Sequence, residues 1–212
     1  MTSRPSMISP PAPSPPSAAR RAVSWLFVLN GALFGTWVSR IPVVQETHGL
    51  GHGALGVALL GLAMGALVAM PLCGWASSRF GSRRVCQAAA VFYTLLLPCL
   101  ALAPNPALLK VALFLFGAGH GGLDVPMNAQ AVLVERRYHR PIMSSFHALF
   151  SAGGLAGAAL GAGMAALSVP ILTHFILVAA GLGTWVVLTS FRPLLPDAPS
   201  PEPSHHGIDA LA

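Results

Sequence analysis

Apolar runs of about 20 residues follow one another between Ala22 and Phe191, separated only by short turns. Each run is long enough to cross a bilayer as a helix. A soluble domain carries about 25% charged residues. Here Asp, Glu, Lys and Arg together make up 8%, and more than half of the chain is apolar. Such a chain cannot cover itself with polar surface in water. The sequence therefore predicts an all-α integral membrane protein with six transmembrane helices, whose first partner is the lipid bilayer.

The expected spans are residues 22–41, 54–75, 85–103, 107–134, 141–167 and 170–191. Pro42 helps to stop the first, and a short outer loop with Glu46, His48 and His52 follows it. Pro104 and Pro106 make the turn before the fourth span. Pro141 suits the first turn of the fifth, where a missing N–H costs nothing. Residues 1–19 are rich in proline, serine and alanine and read as a disordered tail, as do residues 193–212. The domain organisation is thus a tail to 19, a six-helix domain over 20–192, and a second tail from 193. Arg20 and Arg21 before the first apolar run raise a signal peptide. The length of the run and the spans that follow it argue instead for arginines that hold the tail inside.

Charge sets the orientation. Arg4, Arg20, Arg21, Arg79, Arg83, Arg84, Arg136, Arg137, Arg140 and Arg192 fall on one side of the predicted topology, and only Arg40 and Lys110 on the other. The basic side faces the cytoplasm. Both termini are therefore expected in the cytoplasm of a protein integral to the inner membrane. Basic residues confined to short loops argue against nucleic acid as a partner. Cys73, Cys86 and Cys99 lie in or beside apolar runs without metal-ligand spacing and read as small packing residues. His205 and His206 read as a solvated tail, and no metal site is expected.

Asp124 is the sole carboxylate within a predicted span. A charge at that depth is costly and is usually kept for a substrate or proton pathway. His120, Asp124 and Asn128 recur at i, i+4 and i+8, on one helix face. Pro126 between them cannot donate its N–H to the carbonyl of Gly122 and is expected to kink the helix there. Counting 1.5 Å per residue puts Asp124 roughly 16 Å above Glu135, and Asn30 roughly 12 Å above Ala22. It puts His147 and Ser151 roughly 9 and 15 Å above Pro141. These groups share one layer, so the candidate solute and proton site comprises Asp124, Asn128, His120, Asn30, His147 and Ser151. Asn30, Trp37 and Arg40 share a face of the first helix. Arg40 joins the set as a substrate or gate residue, with snorkelling to headgroups as the alternative. Trp37 also suits an interface belt.

Glycines recur at helical spacing: Gly31/Gly35, Gly61/Gly65, Gly117/Gly121 and Gly153/Gly157/Gly161. Small residues so placed let helix backbones approach. The run GAGHGG also matches G-x-G-x-x-G. It follows no strand and lies inside a span, so no dinucleotide cofactor is expected. Six spans holding Ser151, His120 and His174 invite an intramembrane serine protease. The surrounding F-S-A-G-G lacks a nucleophile elbow, so an enzyme is not the expected reading.

The turn GWASSRFGSRR resembles the signature of the major facilitator superfamily between its second and third helices. Gly74, Arg79, Gly81, Arg83 and Arg84 carry the likeness, and Ser78 stands where the signature has an acid. The resemblance implies an inner-gate loop at these residues. GGLDVPMNAQ followed by RPIMSSFHALFSAGGLAGA is similar to the fucose-permease-like branch of that superfamily. The likeness covers about residues 22–192. It implies proton-coupled uptake of a small polar solute such as a sugar, with Asp124 and Asn128 inheriting the helix-4 positions. It also implies two six-helix halves, of which this chain supplies the first. Either the chain is a piece of a longer transporter, the favoured reading, or two copies form a C2 homodimer. An inactive membrane scaffold is the remaining alternative.

Overall fold

A computed structural model of the chain describes residues 16–197. Most of both expected tails, with Arg4, His205 and His206, lies outside the described residues. Seven helices are present among those described: α1 (Ser17–Val38), α2 (Ile41–Thr47), α3 (His52–Phe80), α4 (Ser82–Ala101), α5 (Pro106–Tyr138), α6 (Met143–Ala166) and α7 (Ile171–Ser190). Helices α3 to α7 are each long and apolar enough to cross a bilayer. α1 and α2, bent by 42° at a short break, make a sixth candidate span together.

Several boundaries differ from the sequence reading for local reasons. α1 begins at Ser17, inside the expected tail, and Arg20 is held by the face of the Tyr138 ring 5.1 Å away. Pro42 sits in the first turn of α2 and starts a helix rather than stopping one. The helix after Pro141 begins only at Met143. Pro106 does open α5, and the Asn105 side chain caps it by accepting from the N–H groups of Ala107 (3.1 Å) and Leu108 (3.0 Å). α5 continues through Pro126 as one helix. The tail expected from residue 193 starts with packed residues: Leu194 and Leu195 are buried.

Glycine decides the packing. α1 lies along α6, with Gly31 and Gly35 against the backbone of Phe150 and Gly154, and with Gly153 and Gly157 against Val28 and Ala32. α3 lies along α5 in the same way: Gly65 faces Phe114 and Ala118, and Gly117 and Gly121 face Leu62 and Ala66. α4 fills the space between α5 and α7, α7 also packs on α1, and α1 meets α5 at the centre. Phe27, Trp37, Tyr93, Phe116 and Phe146 are fully buried there. Trp37 lies against Phe116, centroids 6.4 Å apart, and so belongs to the core instead of an interface belt. α3 and α6 stand at the two ends of this arc. They keep long apolar faces exposed, among them Leu60, Leu67, Trp75 and Leu155. Surface of that kind fits lipid or another helical unit, not water.

Candidate functional site

Asn30 is wholly buried on α1, at the point where α1 meets α5. Its neighbour there is His120. Gly119 packs on Tyr93 and Gly121 on Ala66, so α5 sits close to α4 and α3 on both sides of the histidine. The Nδ1 atom of His120 lies 2.8 Å from Asn30 Oδ1, and Asn30 Nδ2 donates to Met127 Sδ at 3.8 Å. A thioether sulfur only accepts, so the asparagine must spend its N–H there and present its oxygen to the imidazole. With the amide in that orientation, the pair is made by the tautomer that donates from Nδ1, which leaves Nε2 as the acceptor nitrogen. The imidazole stacks on Phe34 (4.9 Å, 25°), with Tyr93 at 5.7 Å and Phe150 at 6.2 Å. Rings from α1, α4 and α6 thus enclose a side chain of α5.

One turn further on, Asp124 is half-buried. Asn128 Nδ2 donates to the Asp124 main-chain oxygen at 2.8 Å and to its carboxylate Oδ1 at 3.2 Å. This amide bridges across Pro126, which supplies no N–H to the ladder. The site thus consists of two polar pairs one helical turn apart, Asn30 with His120 and Asn128 with Asp124.

The remaining candidates stand apart from those pairs. His147 is exposed on α6 and meets the ring of Phe27 edge-on at 5.4 Å. Ser151 is exposed, and its hydroxyl donates to the His147 main-chain oxygen at 3.2 Å. α6 reaches His120 through Phe150, the residue before Ser151. Arg40 is buried at the opposite end from the arginine-rich turns. Its Nε donates to His174 Nδ1 at 3.3 Å and a terminal nitrogen donates to the Val169 carbonyl. It ties the α1–α2 corner to the start of α7, neither snorkelling nor joining Asp124. Ser151 pairs with neither His120 nor His174: Asn30 takes up His120, Arg40 takes up His174, and Ser151 bonds within its own helix.

The proposed gate loop is shorter than its motif. Gly74 and Arg79 lie inside α3, Ser78 bonds back to Trp75, and Arg83 and Arg84 are in the first turn of α4. Gly81 alone breaks the helices, at φ 88°, which favours glycine.

Three contributors went unseen in the sequence. The Tyr93 hydroxyl is buried without a partner among the described residues, and its ring lies 5.7 Å from that of His120. In the sequence it reads as one more aromatic of an apolar run. Glu135 accepts from the N–H groups of Ile142 and Met143, both at 2.7 Å. This carboxylate satisfies the start of α6. Gln130, fully buried, bonds Ser82 and Leu195. Its spacing of two from Asn128 gives no local sign of those distant partners.

Comparison with known proteins fits this architecture. Residues 18–210 match the family model of the Major Facilitator Superfamily. An uncharacterized transporter of Sinorhizobium fredii is 42% identical over 163 residues, 77% of this chain and 43% of the relative. An uncharacterized MFS-type transporter of Yersinia pestis is 41% identical over 62% of this chain and 34% of its own length. Membrane protein MosC of Rhizobium meliloti is 37% identical over 76% of this chain and 41% of its own length. The chain thus spans about half the length of the curated relatives it matches. No solved structure matches it. Seven helices arranged as six candidate spans, together with a family match over nearly the whole described length, make this chain a member of the major facilitator superfamily.

Proposed function

We propose that this chain is the six-helix unit of a secondary transporter that carries a small, hydroxyl-rich solute together with protons, as in the fucose-permease-like branch. The observation that carries the reading is the pairing of Asn30 with His120 and, one turn along α5, of Asn128 with Asp124. An ionised carboxylate is costly in hydrocarbon, and taking up a proton removes the cost. Asp124 is the proton carrier in this reading, and His120, whose Nε2 is free to accept, is its relay. Asn128 and Asn30 offer the amide groups that pair with hydroxyls. Phe34 and Phe150, packed around His120, supply the apolar side of the site. His147 and Ser151 line the facing α6 wall.

A second six-helix unit then covers the exposed faces of α3 and α6, supplied either by further chain or by a second copy. The arginine-rich end, where Arg20 meets Tyr138 and Arg83 meets the Arg192 carbonyl, faces the cytoplasm of an inner membrane. Gly74, Arg79, Gly81, Arg83 and Arg84 act at the inner gate.

Uptake into proteoliposomes tests the solute side, using L-fucose within a panel of neutral monosaccharides and recording the oligomeric state in the same detergent. Asn128→Ala removes the amide while leaving the carboxylate. It should raise the half-saturating sugar concentration by roughly tenfold, the order expected for hydrogen bonds to a polar ligand. Unchanged saturation in this variant, or no transport of any neutral sugar by the wild type assembled with its second six-helix unit, refutes the solute assignment.

A further inference from the structure

The segment after α7 is bound by its backbone. Gln130 Nε2 donates to the Leu195 carbonyl and Gln130 Oε1 accepts from the Leu195 N–H, both at 2.9 Å. One side chain therefore reads both main-chain groups of one residue, much as a neighbouring strand would. The same Nε2 also donates to Ser82 Oγ at 2.8 Å, and that hydroxyl donates to Asp197 Oδ1 at 2.6 Å. Gln87 donates to the Phe191 carbonyl at 2.9 Å and Arg83 to that of Arg192 at 3.3 Å. Leu194 is 2% exposed. The turn at Gly81, which its φ of 88° reserves for glycine, lies beside the same carboxylate.

Gln130 sits on α5 beyond Pro126, on the same stretch of helix as Asn128. Pro126 is where the main-chain ladder of α5 lacks a bond, so it is the joint about which the end of that helix can tilt. Such a tilt shifts Asn128 against Asp124, whose side chains bridge the joint. It also pulls Gln130 away from Leu195 unless the segment moves too.

We propose that residues 191–197 are a docked strap that locks the end of α5, so that tilting at Pro126 and release of Leu195 from Gln130 are one event. The strap itself stands on its hydrogen bonds. Only its consequence for transport rests on the Asp124–Asn128 reading.

Hydrogen exchange read amide by amide, on the full chain in detergent, tests the strap without any transport measurement. In the wild type the Leu195 amide should be protected. Gln130→Leu should speed its exchange on the order of tenfold. The helical amides of Asn128 to Ala131 should also exchange faster, while those of Leu26 to Leu33 on α1 stay unchanged. Asp197→Ala, a surface change that spares the buried glutamine, should speed Leu195 exchange by about threefold and raise α5 exchange to a smaller degree. Exchange of Leu195 at the free-peptide rate in the wild type overturns the strap. A Leu195 rate unmoved by Asp197→Ala does the same. Release of Leu195 without any change in α5 overturns the coupling.

Discussion

The seam between α3 and α5 makes a demand that can be tested with two alanines. A Cβ on Gly65 would lie 2.8 Å from the Phe114 carbonyl carbon and 2.9 Å from the Ala118 nitrogen, with the Phe114 oxygen nearer still. These are backbone atoms of a helix and cannot rotate aside. Across the seam, a Cβ on Gly117 would lie 2.7 Å from the Leu62 carbonyl carbon, so the two helices cannot part at one glycine and stay together at the other. Overpacking of this kind costs about 1–3 kcal/mol. Alanine regains about 0.5–1 kcal/mol of helix preference over glycine. Gly65→Ala should therefore lose up to about 2.5 kcal/mol net. Gly181 on α7 has nothing within 4 Å of its would-be Cβ. Gly181→Ala should gain about 0.5–1 kcal/mol. For a chain of this size 1 kcal/mol moves a melting temperature by about 2–4 °C. Thermal melts in one detergent should thus move in opposite directions. A Gly65→Ala protein at least as stable as the wild type would refute the close-packed seam.

Other consequences follow from the same geometry. Reporter fusions in the Glu135–Arg140 turn should read cytoplasmic and those near His48 and Asn105 should read outside; an outside reading at Arg136 contradicts the orientation. Arg40→Lys cannot reach both His174 and the Val169 carbonyl, and should lower stability by about 1–3 kcal/mol in a detergent melt. A transport defect in Arg40→Lys at unchanged stability would instead give Arg40 back its role at the solute.

The spans were legible because a bilayer imposes one simple requirement, an apolar run of sufficient length, and few charges interrupt it. The glycine seams were legible as well, since small residues at helical spacing have one common use in such helices. Helix ends were less so. α1 begins five residues before its apolar run because Arg20 finds Tyr138, and α3 carries Arg79 as helix up to Gly81. Both depend on groups brought near by folding.

The polar site divides along the same line. His120, Asp124 and Asn128 are neighbours along one helix, as their spacing implies. The pairing of Asn30 with His120 spans 90 positions, and that of Arg40 with His174 spans 134. No local pattern separates the first, inside the polar site, from the second, at a helix corner. Ser151 shares a face with His147, yet its hydroxyl turns back to its own helix. Periodicity names a face and leaves the hydrogen-bond partner open.

The carboxylate of Asp124 decides the account. In vesicles loaded with a pH-sensitive dye, adding the transported sugar should carry protons inward through the wild-type protein assembled with its second six-helix unit. Asp124→Asn keeps the shape and the hydrogen-bonding capacity of the protonated acid but can neither take nor release a proton. It should abolish sugar-driven acidification while preserving exchange of labelled for unlabelled sugar. A well-folded Asp124→Asn protein that still acidifies the vesicles at the wild-type rate would contradict the central claim.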